Sequence, residues 1–241
     1  MAPAAAHPRD LPNELPDQIG GRLCLDFLNS VDPRHATKRR EYFGSYADLL
    51  TWAGSVGVLP AEDLVRLRGQ ALADPSAARA AHRYALGFRA ALYQVVSAAL
   101  EGRQVFPEDL ATVNRVLRRA TGRHQLLPGA GGGVRDGWAL TGELEELLWP
   151  VVVDAWDVLT GPVLARVHEC PGDEGLCGWL FVDTSRSGTR RWCDMRTCGN
   201  RAKVRAHYAA SRPPTTKQPS PGGPGRSCPQ TAESSGLSPG R

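Results

Sequence analysis

Four cysteines in the C-terminal third constrain this chain more than any other feature: Cys170-x6-Cys177-x15-Cys193-x4-Cys198. Two pairs separated by fifteen residues point to a metal site. Zn²⁺ takes four ligands in a tetrahedron, and four thiolates close a structural site. A short segment with little core of its own draws much of its folding free energy from such an ion. Two rival readings stay open. A redox pair usually spaces its cysteines by two residues, and here four intervene between Cys193 and Cys198. A catalytic thiol needs a base such as His168 or His207, and the spacing selects neither. The segment opening "MAPAAAHPRD" lacks the basic and apolar regions of a signal peptide, and no apolar run is long enough for a membrane span. The expectation is a soluble cytoplasmic protein, where paired cysteines seldom form disulfides. Cys24 lies in an apolar stretch and reads as a small buried hydrophobe, and Cys228 as a bystander.

The residues between the pairs predict how the site is built. Trp179, Leu180, Phe181 and Val182 are strand formers, "SRSG" is a turn, and "TRRW" (189–192) reads as the return strand. "CGNRAKVRAHYAASR" has helical character, with Cys198 near its N-terminus, where a thiol's pKa is lowered. Knuckle, hairpin and helix make a treble-clef-like layout. Net charge is only +4 over 241 residues, but eight of the 29 Lys and Arg fall between Arg186 and Arg212, against Asp194 as the sole acid. A metal-fixed helix with Arg201, Arg205 and Arg212 on one side can meet phosphates. The competing reading is that these arginines offset the charge of the thiolates and solvate an exposed helix.

The first two thirds read as helices. Ser45 and Asp48 start one over "SYADLLTWAGSVG", with Tyr46, Leu49, Leu50 and Ala53 as its apolar stripe. "PAEDLVRLRGQAL" places Leu64, Leu67 and Ala71 on one face. Asp74 caps a long helix begun by Pro75, with Ala81, Ala85, Phe88, Leu92, Val95 and Ala99 inward. A further helix over "PEDLATVNRVLRRAT" turns Leu110, Val113 and Leu117 inward. "HQLL" and "GWALT" form a hairpin across glycines, and Pro150 kinks or breaks the helix that follows. Trp52, Trp138, Trp149 and Trp156 are expected in the core. "LCLDFLNS" is either a short strand or the start of a helix. Asp26 and Asn29 within it are costly to bury without partners, so they either cap backbone or line a pocket for a small ligand.

"CGWLFVDTSRSGTRRWCDMRTCGNRAKVRAHY" resembles the CGNR zinc finger, named for Cys198-Gly199-Asn200-Arg201. The helical region resembles the ABATE domain that accompanies this finger, through Leu25-Asp26-Phe27-Leu28-Asn29-Ser30 and a later "SYADLLTW". The resemblance implies a mainly α (α+β) chain, with an ABATE-like mainly helical domain over 19–167 and a CGNR-type finger over 168–211; composition makes the Pro- and Ala-rich 1–18 a flexible N-terminus and 212–241, almost without large apolar residues, a disordered tail. It implies Zn²⁺ held by Cys170, Cys177, Cys193 and Cys198, and a transcription regulator rather than an enzyme. The finger would bind DNA through Arg190, Arg191, Arg201, Lys203 and Arg205, with the helical part for sensing or interaction. That scheme leaves room for a small-molecule effector and a homodimer. The alternative is a zinc-stabilised protein-interaction or small-ligand-binding protein that binds no nucleic acid. No phosphate loop stands out, since "GAGGG" (129–133) lacks the Lys-Ser/Thr that would follow.

Overall fold

The computed structural model describes residues 15–129, 131–172 and 174–211. The expectations for residues 1–14 and 212–241, Cys228 and Arg212 among them, lie outside the described residues. The helices are α1 (Leu23–Leu28), α2 (Tyr46–Ser55), α3 (Ala61–Ala73), α4 (Pro75–Glu101), α5 (Pro107–Thr121), α6 (Trp149–Thr160) and α7 (Asn200–Ala210). Three antiparallel strand pairs sit between them: β1 (Val31–Asp32) with β2 (Arg40–Glu41), β3 (His124–Pro128) with β4 (Val134–Trp138), and β5 (Val167–Glu169) with β6 (Leu180–Val182). Among the described residues, no helix is long and apolar enough to cross a membrane.

Helix α4 is the spine. Asp74 accepts from the Ser76 and Ala77 amides at 2.9 Å each, Pro75 fixes the first turn, and Gly102 ends the helix in a left-handed conformation (φ 63°). Its inward face buries Ala81, Ala85, Phe88, Leu92 and Val95, as helical spacing predicts. Helices α1, α2, α3 and α5 all pack on it, and α6 closes the bundle against α1 and α5. Phe27 sits at the centre, its ring 5.6–5.8 Å from those of Phe43, Trp52 and Phe88.

The ambiguous segment at 23–28 is helix α1. Asp154 of α6 accepts from the Cys24 amide at 2.8 Å and pairs with Arg22, so a partner helix supplies the cap the segment lacks. The Ser45 cap forms, Ser45 Oγ accepting from the Asp48 amide. Pro150 breaks the helix where expected: a 3₁₀ turn at Leu144–Leu148 gives way to α6.

Four expectations need correction. Helix α5 buries Val113, Val116 and Ala120, while Leu110 is exposed, because the helix is rotated toward its smaller residues. Trp52 and Trp149 are core residues, but Trp138 is half-buried and Trp156 exposed, on the outer face of α6. Leu15 and Pro16, expected to be loose, pack against the core edge. Strand β6 does not pair with "TRRW". It pairs backward with β5, in the register Val167 to Val182, His168 to Phe181 and Glu169 to Leu180.

That last pairing decides the architecture. Trp179, Leu180, Phe181 and the four cysteines belong to the same buried cluster as Phe27, Leu28 and Val167. The cysteine segment therefore completes the helical core instead of folding beside it.

Candidate metal centre

The β5–β6 hairpin carries the first cysteine pair in its own loop. Cys170 donates its amide to Trp179 O at 2.8 Å, and its carbonyl accepts from the Gly178 amide at 3.0 Å. The ladder thus runs one step past β5 and holds the two ends of "CPGDEGLC" together. The six intervening residues close through Gly172 (φ 58°), where an added Cβ would lie 2.4 Å from the Cys177 Cβ. Residues 34 and 35 then clamp the loop from the helical side. The Arg34 amide donates to Cys177 O at 2.9 Å and the His35 amide to Leu176 O at 3.1 Å.

The second pair is positioned by Asp183. Its two carboxylate oxygens accept from the amides of Ser185 (2.7 Å) and Arg190 (2.9 Å), folding 184–190 into a compact loop. Hydrogen bonds from Ser185 and from the Arg190 amide hold its carboxyl down at about 2. Cys193 follows that loop. Cys198 lies in a π-helical turn, Met195–Gly199, that leads into α7. The cap on this turn is Asp194, which accepts from the Arg196 amide at 3.0 Å, while Asn200 is exposed at the start of α7.

All four sulfurs lie within 4.8 Å of one another, and each cysteine is buried. Cys177 and Cys193, and Cys193 and Cys198, stand 3.8 Å apart at Sγ. A tetrahedron with Zn–S bonds of ~2.3 Å has an S–S edge of about 3.8 Å, so this donor set fits zinc in size and in softness. It is too long for a disulfide bond, whose sulfurs stand at ~2.05 Å. A hydrogen bond from Cys177 pulls Cys170 below the usual thiol range, and the same contact pushes Cys177 above it.

The predicted basic residues divide. Arg190 is a correction: it faces inward, donating through Nε to Trp192 O at 3.0 Å and through Nη2 to Cys193 O, with its guanidinium over the Phe181 ring at 4.6 Å. It belongs to the centre's wall, because the Phe181 face and the two carbonyls offer it better partners than solvent does. Arg191, Arg201, Lys203 and Arg205 are exposed. Arg205 pairs with Glu174 at 2.6 Å, across from the first knuckle.

Asp26 and Asn29 cap backbone. Asp26 Oδ1 accepts from the Gly20 amide at 2.8 Å. Asn29, fully buried, donates to Leu180 O and accepts from the Leu180 amide, both at 2.8 Å, so it replaces a missing strand partner for β6. Sequence reasoning missed the other half of this joint. Trp179 donates its indole N–H to Val31 O at 2.9 Å, and Arg34 lies buried over the Tyr93 ring at 3.9 Å. His35 contacts Glu169 at 2.7 Å. The only local signal was "VDPRH" (31–35), a proline-bent polar run after an apolar segment, which reads as an ordinary loop.

Compared with known families, residues 21–162 match ABATE, described as "Putative stress-induced transcription regulator", and residues 166–210 match the CGNR zinc finger, in that order. No curated protein matches the chain significantly.

Proposed function

This chain belongs to the ABATE family and carries a CGNR zinc finger after the ABATE region, and on that premise we propose that it is a zinc-dependent, DNA-binding transcription regulator. Cys170, Cys177, Cys193 and Cys198 would hold the ion. Four thiolates leave no open coordination position, so the ion's contribution is structural. The reading assigns no catalysis to the chain and places it with the DNA in the cytoplasm.

One observation carries the proposal: α7 starts at the metal centre and is exposed around nearly its whole circumference, its main neighbour being the turn that precedes it. Arg201 and Arg205, four residues apart, share one side of the helix. Lys203, two residues from each, lies on the opposite side. Bases on two opposite flanks suit a helix lying in a groove between two phosphate backbones better than one resting on a single strand. The Arg205–Glu174 pair is exposed, and such pairs contribute ~0–1 kcal/mol, so a phosphate can displace the carboxylate.

The test is fluorescence anisotropy of a random-sequence duplex between 50 and 200 mM salt. The expected result is binding at low salt with a steep salt dependence. Changing Arg201, Lys203 and Arg205 together to Ala should reduce the slope of log K against log salt by about 2.7, at roughly 0.9 per phosphate contact. No binding at 50 mM salt, or an unchanged slope, rejects the reading. The rival, a protein-docking finger, draws on Val204 and Tyr208, 47% and 68% exposed on the same helix. Selection of bound duplexes from a random pool separates the two.

A further inference from the structure

One cleft on the helical part combines features that two larger ones lack. It is a groove of about 500 Å³ between α3 and α4, closed at one end by the start of α2. Its floor is apolar, built from Tyr46, Leu50, Ala71 and Ala78, with the exposed Leu72 on the rim. Arg68 stands on the α3 wall, Arg79 and Arg83 on the α4 wall, and His82 lies between them; no carboxylate lines the groove. By contrast, a larger cleft is lined by Glu62, Asp63, Asp136, Asp154 and Asp157, and its Arg22 is already paired with Asp154 and Asp157.

Arg79 and Arg83 are four residues apart on one helix, a like-charge spacing that disfavours the helix unless something answers it. Neither they nor Arg68 has an acidic partner among the described residues. Asp48, close by in the first turn of α2, is held by Ser45 Oγ at 2.9 Å and lies outside the groove lining. An apolar trough rimmed by unanswered cations selects a molecule with a hydrocarbon or aromatic body and one acidic head. Its volume lies within the usual range for small-molecule sites.

We propose that the groove between α3 and α4 is a binding site for an amphipathic organic anion, a carboxylate with an apolar tail, held by Arg68, Arg79 and Arg83. A site for the helical part's effector is thereby placed on the face formed by α2, α3 and α4. Asp26 and Asn29, the pair first considered for such a role, have backbone partners instead. The proposal needs only the groove and stands apart from DNA binding.

The experiment is calorimetric titration of the full zinc-loaded chain with sodium decanoate, with decyltrimethylammonium as a cation of the same tail and 1-decanol as a neutral one. Decanoate should bind at one site, more tightly than either comparison. Arg79→Glu with Arg83→Glu should weaken it about ten-fold or more, since charge-assisted contacts dominate recognition of the head. Arg68→Glu repeats the test from the opposite wall, should the double variant lose its circular dichroism spectrum. Arg118→Glu with Arg119→Glu, the same charge change on the exposed face of α5, should leave binding unchanged. The proposal is overturned by absent decanoate binding, by equal binding of the three tails, or by binding insensitive to the groove variants. It is also overturned if an acidic amphipathic peptide occupies the groove and decanoate does not.

Discussion

Asn29→Ala should destabilise the whole chain and loosen the metal centre with it. The side chain makes two hydrogen bonds of 2.8 Å to the backbone of Leu180, and both residues are fully buried. Alanine leaves the Leu180 N–H and C=O without partners where water has no access. Each orphaned buried group costs about 1–3 kcal/mol, so the pair sums to about 2–6 kcal/mol. Some relaxation will occur, and a loss of about 3 kcal/mol is the working figure, a large share of the ~5–15 kcal/mol that stabilises a typical domain. The damage should reach the metal, because Leu180 follows Trp179, whose carbonyl accepts from the Cys170 amide. Urea unfolding followed by circular dichroism measures the stability, and competition with a chromophoric chelator measures zinc affinity. Asn29→Asp is the sharper comparison: it keeps the acceptor for the Leu180 amide but sets a second oxygen against the Leu180 carbonyl, so it should not rescue. A loss under about 1 kcal/mol, or a wild-type zinc affinity in the alanine variant, would refute the idea that this amide joins finger to helical core.

The knuckle and the buried acid give two more expectations. Gly172→Ala forces a Cβ to within 2.4 Å of the Cys177 Cβ at a φ of 58°, so zinc affinity should fall at least about ten-fold. Gly175→Ala, at φ 76° with nothing within 4 Å, should cost only ~1–2 kcal/mol of backbone strain and keep one zinc per chain by metal analysis. Equal zinc affinity in the two variants would show that the close approach at Gly172 is not what shapes the loop. Burial raises the Asp26 carboxyl to about 6 from an ordinary 3.8, and the nearby Asp154 adds to the rise. A raised folded-state value means that ionisation opposes folding: the penalty is full above about pH 6 and absent below about pH 4. Asp26→Asn keeps an acceptor for the Gly20 amide and removes that penalty, so it should gain up to about 3 kcal/mol over wild type at pH 8. The gain should close as the pH is lowered toward 4.5, and a constant difference across that range would contradict the assignment.

The sequence exposed those parts of the structure that are local. Helices announced themselves through spacing and caps, as at Ser45, Asp74 and Pro75, because a helix satisfies its backbone within its own segment. The cysteine spacing likewise located the cluster, since ligand chemistry needs only residue type and rough distance along the chain. Strand pairing was misread at β6 because a strand's partner is chosen by packing between distant segments, and "TRRW" and "VHE" look equally suitable in isolation. The same limit hid the role of Asn29. Its partner lies 151 residues away, and nothing near it in the chain shows that β6 has an unpaired edge there. Arg190 was misassigned for a related reason: its charge is visible in the sequence, but the Phe181 face and Cys193 carbonyl that turn it inward are set by the fold.

Arg190 also narrows what the other basic residues can be for. A zinc ion with four thiolates carries a formal charge of −2, and basic groups beside it lower the cost of burying that charge. Arg190 meets this need directly, through its bond to the Cys193 carbonyl. Arg205 reaches back instead to Glu174, in the loop between Cys170 and Cys177, at 2.6 Å. Arg201 and Lys203 are exposed. Stability of the cysteine site therefore accounts for Arg190, gives Arg205 an exposed carboxylate partner, and gives no reason for Arg201 and Lys203. Nor does packing: the helix that carries them buries little, and exposed Val204 and Tyr208 lie among them. A helix that starts at the cysteine cluster, buries little and is basic on opposite flanks is what the proposed contact with DNA would account for.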